Sequence, residues 1–309
     1  MSRPVALIAL GRYLQAQGYA FTTVTPLTHQ RVNRRAAHAW ARDLADIFGW
    51  NRPFRRAEVS DELFQLMQQA EVLEPDGDHA WRSMVRWSSL GGELFVHSRF
   101  PTVEADAVFF GPDTYRFCQA IETQLATRQA PVRRAVDIGC GAAPGALLLA
   151  RHSPHAQVCA VDINPQALEF AAINAELAGL DLQLFEGSLL EPLAGEFDLI
   201  VSNPPYMLDA DERAYRHGGG ELGANLSLAV VEAALPSLAR GGSLLLYTGV
   251  AMLKGRDPFW QQCRQHLNAA AFTWHYRELD PDVFGEQLEE PGYESVERIA
   301  AVALSVTRR

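Results

Sequence analysis

The sequence predicts an α/β protein: a doubly wound, Rossmann-like, seven-stranded sheet, preceded by a smaller and mainly helical N-terminal domain. Three observations lead there. From about residue 131 onward, short β-branched runs alternate with helical patterns, as crossover-connected parallel strands require. A glycine turn follows the first of those strands. Residues 1–75 instead keep mostly helical spacing.

The elements follow in order. Ala36, Ala37, Trp40, Leu44, Ile47 and Phe48 hold a helical period that Gly49 ends. Leu63, Phe64, Met67 and Ala70 repeat it on a second helix. Glu93–Phe100 and Thr102–Phe110 read as short strands about a turn at Pro101. A domain boundary is expected near here, giving residues 1–107 and 108–309. Beyond it, strands are predicted at Ala135–Ile138, Val158–Asp162, Leu182–Phe185, Phe197–Ser202 and Ser243–Thr248. Helices are predicted at Gly145–Arg151, at Pro165–Ala178 with Gly179 as its stop, and at Leu222–Leu238. Phe272–Glu278 and Ile299–Val306 supply the last two strands, a closing antiparallel hairpin.

The chain has 309 residues, 48% apolar and 21% charged, with a net charge of −10. That composition excludes a disordered chain and a disulfide scaffold. Lys254 is the only lysine among 27 basic residues. Residues 1–57 carry nine arginines against Asp43 and Asp46, a local +7, whereas 58–78 hold seven acids and no base. Such a segment suggests an anionic partner, and Arg31, Arg34 and Arg35 are its candidate grips. Cys118, Cys140, Cys159 and Cys263 form no C-x-x-C pair and match no zinc spacing, so buried reduced thiols and no metal are expected. No apolar run reaches the ~18 residues of a membrane span. Val5–Leu10 is too short for the apolar core of a signal peptide, and a cytoplasmic protein is expected.

Two motifs carry chemistry. In Val136-Asp137-Ile138-Gly139-Cys140-Gly141, the glycines let a backbone turn tightly against a ligand. Asp162 follows Gly141 by 21 residues, at the end of the next strand, where a carboxylate can accept both ribose hydroxyls. Dinucleotide and S-adenosylmethionine sites share this logic. A pyrophosphate loop, however, wants a third glycine at 144, where this chain has Pro144. Glu186-Gly187-Ser188-Leu189 follows the third strand, on the side where an adenine would lie, with Ser188 able to bond the base. The second motif, Ser202-Asn203-Pro204-Pro205-Tyr206, ends the fourth strand. Its prolines fix the backbone and remove two donors. The Asn203 amide oxygen and the Pro204 carbonyl remain as acceptors for the two hydrogens of a planar NH2 group, and Tyr206 can pack against it. Such acceptors aim the lone pair of a conjugated nitrogen at a methyl donor.

With Asp137-Ile138-Gly139-Cys140-Gly141, Asp162 and Asn203-Pro204-Pro205-Tyr206 in this order, residues 108–250 resemble the S-adenosylmethionine-dependent amino-methyltransferases. They are most similar to the protein-glutamine methyltransferases of the PrmC/HemK group. Gly111-Pro112-Asp113-Thr114 and Gly218-Gly219-Gly220-Glu221-Leu222-Gly223 resemble further segments of that group. The resemblance implies S-adenosyl-L-methionine as cofactor, held by Asp137, Gly139, Cys140, Gly141, Asp162, Ile163, Ser188, Leu189 and Asn203. It implies Asn203, Pro204, Pro205 and Tyr206 as the catalytic set and a protein glutamine as acceptor. The alternatives are an exocyclic amino group of RNA or DNA, a small-molecule acceptor, or a non-catalytic cofactor-binding protein. The chain departs from the group at Ser188, where an acid is usual, at Pro144, in its basic N-terminal segment and in Phe284–Glu297.

Overall fold

The computed structural model describes residues 1–77, 79–209, 213 and 215–309. Its centre is a seven-stranded sheet built from β6 (Arg134–Ile138), β7 (Gln157–Asp162), β8 (Gln183–Glu186), β9 (Phe197–Ser202), β10 (Leu238–Met252), β11 (Phe272–Asp280) and β12 (Arg298–Arg308). The strand order is β11-β12-β10-β9-β6-β7-β8. Strands β6 to β10 pair in parallel, whereas β12 runs antiparallel to both β10 and β11. The order reverses between β6 and β9, so their carboxyl ends flank a crevice in which ligands of such sheets bind.

Both faces of the sheet are covered, which explains its runs of Val, Ile, Leu and Ala. Phe117 and Ile121 of α5 (Pro112–Thr127) and Leu149 of α6 (Pro144–His152) bury against Ala135, Leu199 and Val201. On the other face Val230 and Ala234 of α8 (Asn225–Ser237) and Phe259 of α9 (Pro258–Cys263) meet Val136, Ile200 and Leu244. α7 (Pro165–Ala178) starts at Asn164, whose side chain accepts from the Gln166 N–H, and stops at Gly179 with φ +64°, as a left-handed glycine cap does.

The N-terminal part contains α1 (Arg3–Ala16), α2 (Pro26–Asn33), α3 (Leu44–Phe48) and α4 (Asp61–Gln69). It also contains strands: β1 (Phe54–Arg55), β2 (Leu73–Pro75) and β3 (Ala80–Ser83) form one small sheet, and β4 (Val85–Leu90) and β5 (Glu93–Ser98) a hairpin. Its core shares one cluster with α7, in which Leu7, Leu10 and Leu14 lie with Trp87, Phe170 and Ile173. A Cβ on Gly11 would come within 2.5 Å of Leu177, so glycine is what lets α1 press on α7. Buried Asn174 of α7 accepts from the Val96 N–H and donates to the carbonyls of Val96 and Ala142, tying β5 to the loop after β6.

Three expectations need correction. The helical run 36–48 breaks into a 3-10 turn at Ala36–His38 and the short α3, because Asp43 caps a fresh start by accepting from the Asp46 N–H. Thr102–Phe110 is not a strand; the hairpin turns instead at Gly91-Gly92, both with positive φ (+61° and +85°), the backbone a two-residue turn demands. The helix predicted from Leu222 starts at Asn225, since Gly223 stands at φ +76°. The +7 segment is partly neutralised within the chain. Arg3, Arg12, Arg52, Arg55 and Arg56 pair with Glu169, Glu176, Asp46, Glu58 and Asp61. All four cysteines are free and buried, and among the described residues there is no metal-binding cluster and no helix long and apolar enough to cross a membrane.

Candidate active site

The loop after β6 is fastened from the neighbouring strand. Gly139 and Cys140 donate their N–H groups to the Val161 carbonyl at 2.8 and 3.0 Å. Gly139 and Gly141 adopt φ of +66° and +54°, a region that disfavours side chains. Asp162 closes the arrangement: one carboxylate oxygen accepts from the Gly141 N–H at 2.8 Å, the other from the Asn164 N–H at 2.9 Å. An ionised carboxylate has about four acceptor positions, so lone pairs remain on both oxygens. Burial raises the Asp162 pKa, and the backbone N–H groups pull it back. Pro144 does not interrupt this loop. It opens α6 as its first residue, where its missing N–H has no helical partner to lose.

Asp137 lies beneath the loop. Its side chain is 1% exposed, and it does not line the cavity described below. It accepts from the Ala146 N–H at 2.9 Å, at the start of α6. A Cβ on Gly145 would stand 2.6 Å from its oxygen, so Gly145 gives the close helix–strand approach expected of a glycine at 144. Asp137 thus supports the loop and, unlike the other expected contacts, does not line the cavity; its second carboxylate oxygen is buried without a partner. Burial, the dominant cause, with a smaller push from Asp162, raises its pKa to about 8.

The loop after β9 starts from Ser202, whose hydroxyl donates to the Ile138 carbonyl at 2.8 Å and joins the ends of β9 and β6. Asn203, Pro204, Pro205 and Tyr206 follow, and all four line the cavity. The Tyr206 hydroxyl donates to the Asp113 carboxylate, to which Tyr247 also donates at 2.8 Å. The Tyr206 ring lies over Gly249, where a Cβ would come within 2.2 Å of it, and meets Phe284 edge-on at 6.3 Å. Burial raises the Asp113 pKa, and the two tyrosine hydroxyls and Arg116 oppose that rise. The glycine-rich stretch is the loop's backing: a Cβ on Gly218 would be 2.7 Å from the Pro205 carbonyl oxygen, and one on Gly223 would be 2.2 Å from that of Tyr206.

These two loops face one open cavity. Gly139, Cys140, Gly141, Asp162, Ile163, Ser188, Leu189 and Asn203 all line it, so every expected cofactor contact except Asp137 is brought together. Ile163 is 58% exposed at the rim, an apolar surface with room for a planar base. A Cβ on Gly139 would meet nothing within 4 Å, so the loop backbone borders empty space. Spare lone pairs on Asp162, the hydroxyl at Ser188 and this open backbone suit a nucleoside with a ribose diol. Sequence reasoning assigned no site role to Asp113, Thr114, Phe109, Tyr215, Arg216 or Phe284, which also line the cavity. Only Asp113 and Thr114 carried a signal, through the segment at Gly111–Thr114. His217 is half-buried and accepts from the Asp209 N–H at 3.2 Å, which fits a loop-shaping residue.

Comparison with known proteins adds the family. Residues 117–252 match the methyltransferase small domain. The chain is 36% identical over 198 residues to the release factor glutamine methyltransferase of Deinococcus radiodurans, covering 59% of this chain and 70% of that protein. The chain belongs to the release factor glutamine methyltransferase family. It is an S-adenosylmethionine-dependent methyltransferase. This methyltransferase is also 47% identical, over 78 residues, to the ribosomal protein uL3 glutamine methyltransferase of Neisseria gonorrhoeae, covering 25% of this chain and 26% of that one. The solved structure of Trm5b from Pyrococcus abyssi superposes with a TM-score of 0.50 at 16% identity, covering 81% of this chain and 71% of that one; that likeness shows the fold alone.

Proposed function

We propose that the methyltransferase acts on the side-chain amide of a glutamine in a protein. The observation that carries this reading is the rigid Asn203-Pro204-Pro205-Tyr206 corner facing the same cavity as the Asp162 carboxylate. The names of the relatives from Deinococcus radiodurans and Neisseria gonorrhoeae support it.

The proposed roles follow from the chemistry of each group. When bound, S-adenosylmethionine supplies an electrophilic methyl on a sulfonium. Asp162 would hold its ribose hydroxyls, Ile163, Ser188 and Leu189 its base, and Gly139, Cys140 and Gly141 its methionine end. The Asn203 amide oxygen and the Pro204 carbonyl would accept the two hydrogens of the substrate amide. That grip fixes the nitrogen and turns its lone pair toward the donor, so orientation supplies much of the acceleration. No strong base is needed before attack, because the methylated amide becomes acidic and releases its proton afterwards. Tyr206 reaches the cavity with its ring, while its hydroxyl is committed to Asp113. We propose residues 1–107 as the recognition domain and 108–309 as the catalytic one. The buried, unpaired thiols suit the reducing cytoplasm.

Transfer of labelled methyl into separated protein and RNA pools tests the reading. Label on protein glutamine supports it, and label confined to RNA overturns it. The nucleic-acid alternative draws on one feature: Arg31, Arg34 and Arg35 have no acidic partner among the described residues. Steeply salt-dependent RNA binding would favour that alternative.

A further inference from the structure

A second, smaller cavity lies in the N-terminal part, away from the Asn203 loop. Thr23, His29, Arg86, His97, Phe100 and Phe110 are among its lining residues, and none of the described residues lining it is acidic. Arg86 is 5% exposed. Its Nε–H donates to the Gly49 carbonyl at 2.8 Å, but its Nη2 is buried with no partner. His29, 2% exposed, likewise leaves Nε2 buried and unpartnered.

Arg52 Nε, a donor only, bonds Asn33 Oδ1 at 2.9 Å, which fixes the Asn33 amide. Asn33 Nδ2 then donates to the Trp50 carbonyl at 2.8 Å and faces His29 Nδ1 at 3.5 Å. The His29 ring also hydrogen-bonds the Trp50 backbone, and its Nε2 meets no protein partner. His97 adds no charge: its ring nitrogens are taken by Ser88 Oγ at 2.7 Å and the Ser98 carbonyl at 3.0 Å, and burial drives its pKa well below the ordinary histidine value. Burial also lowers the Arg86 pKa, to about 10, which leaves the guanidinium charged at neutral pH. A buried cationic donor and an unpartnered histidine nitrogen thus border a space without a carboxylate. A buried charge is normally paired.

We propose that this cavity is a binding site for one small monovalent anion of halide size, held by Arg86 Nη2 beside His29. The free space is about 10 Å³, the scale of one small ion or water and not of a nucleotide. Val108 and Phe109 wall both this cavity and the main one. An anion here neutralises Arg86 behind a segment that lines the main cavity.

Bromide is the probe. In crystals of the full chain grown with sodium bromide, anomalous scattering should show one bromide between Arg86 and His29. Thermal melts in bromide or chloride should show a saturable rise of about 2–4 °C over a gluconate control of equal ionic strength. Arg86→Met should abolish that rise. A density peak with no anomalous signal, accompanied by melts indifferent to halide, would mean a structural water and overturn the proposal. So would a halide rise that survives in R86M. If R86M does not fold, the bromide crystal and the wild-type melts still decide.

Discussion

The two loops that face the main cavity are held in different ways. The loop after β6 is braced locally: its glycines follow β6 directly, and the Val161 carbonyl and Asp162 that hold them belong to the adjoining β7. The loop after β9 is braced from afar. Asp113 reaches Tyr206 from 93 residues upstream, while Gly249 and Phe284 hold the ring from downstream. The lesson is a division of labour. The glycine loop and Asp162 belong to one β-α-β unit, whereas the Asn203 corner depends on the whole sheet and on α5.

Substitutions can break that division, and the largest effect belongs to the distant-braced loop. Asn203→Ala should lower turnover roughly 10²–10³-fold, the scale seen when a single orienting group is lost, measured as labelled-methyl transfer at saturating cofactor. Next comes the local loop. Asp162→Ala removes an acceptor for charge-assisted bonds and frees Gly141, so cofactor affinity should fall about 10–100-fold. Asp113→Asn tests whether the remote brace matters. It weakens the acceptor for Tyr206 and Tyr247, and kcat should fall about tenfold with little change in cofactor affinity. An equal loss of both would mean that the two loops are not separable.

The smallest effect concerns the support beneath the local loop. Asp137 has its folded-state pKa raised from 3.8 to about 8, so the folded chain holds a proton that the unfolded chain releases. Its contribution to stability is complete below the unfolded value and fades as pH rises through about 8. Asp137→Asn should flatten the decline of Tm between about pH 5 and pH 8. An unchanged slope in the variant would show that another group carries the decline.

Much of the local loop was legible in the sequence, because strand, glycines, helix and acid recur within one short unit. Asn164 and Gly179 mark the ends of α7 as plainly as they do in the structure. The Asn203 corner was legible for a related reason: two prolines after a β-branched run leave little other conformation. The remote brace was not. The Asp113 bonds to Tyr206 and Tyr247 span 93 and 134 residues, and no spacing announces such a pairing. The N-terminal part was harder still. α1 is apolar on nearly every side across Val5–Leu10, so its period does not reveal which face meets α7. The place of Asp137 was not legible, because proximity in sequence to the glycines does not say whether a side chain points over the loop or under it.

The account rests on the separation of cofactor grip from substrate geometry, and calorimetric titration of S-adenosylmethionine into N203A and D162A, side by side, tests it most directly. The expected result is near-native affinity in N203A and a marked loss in D162A. Loss of binding in N203A, with D162A binding as wild type, would contradict it.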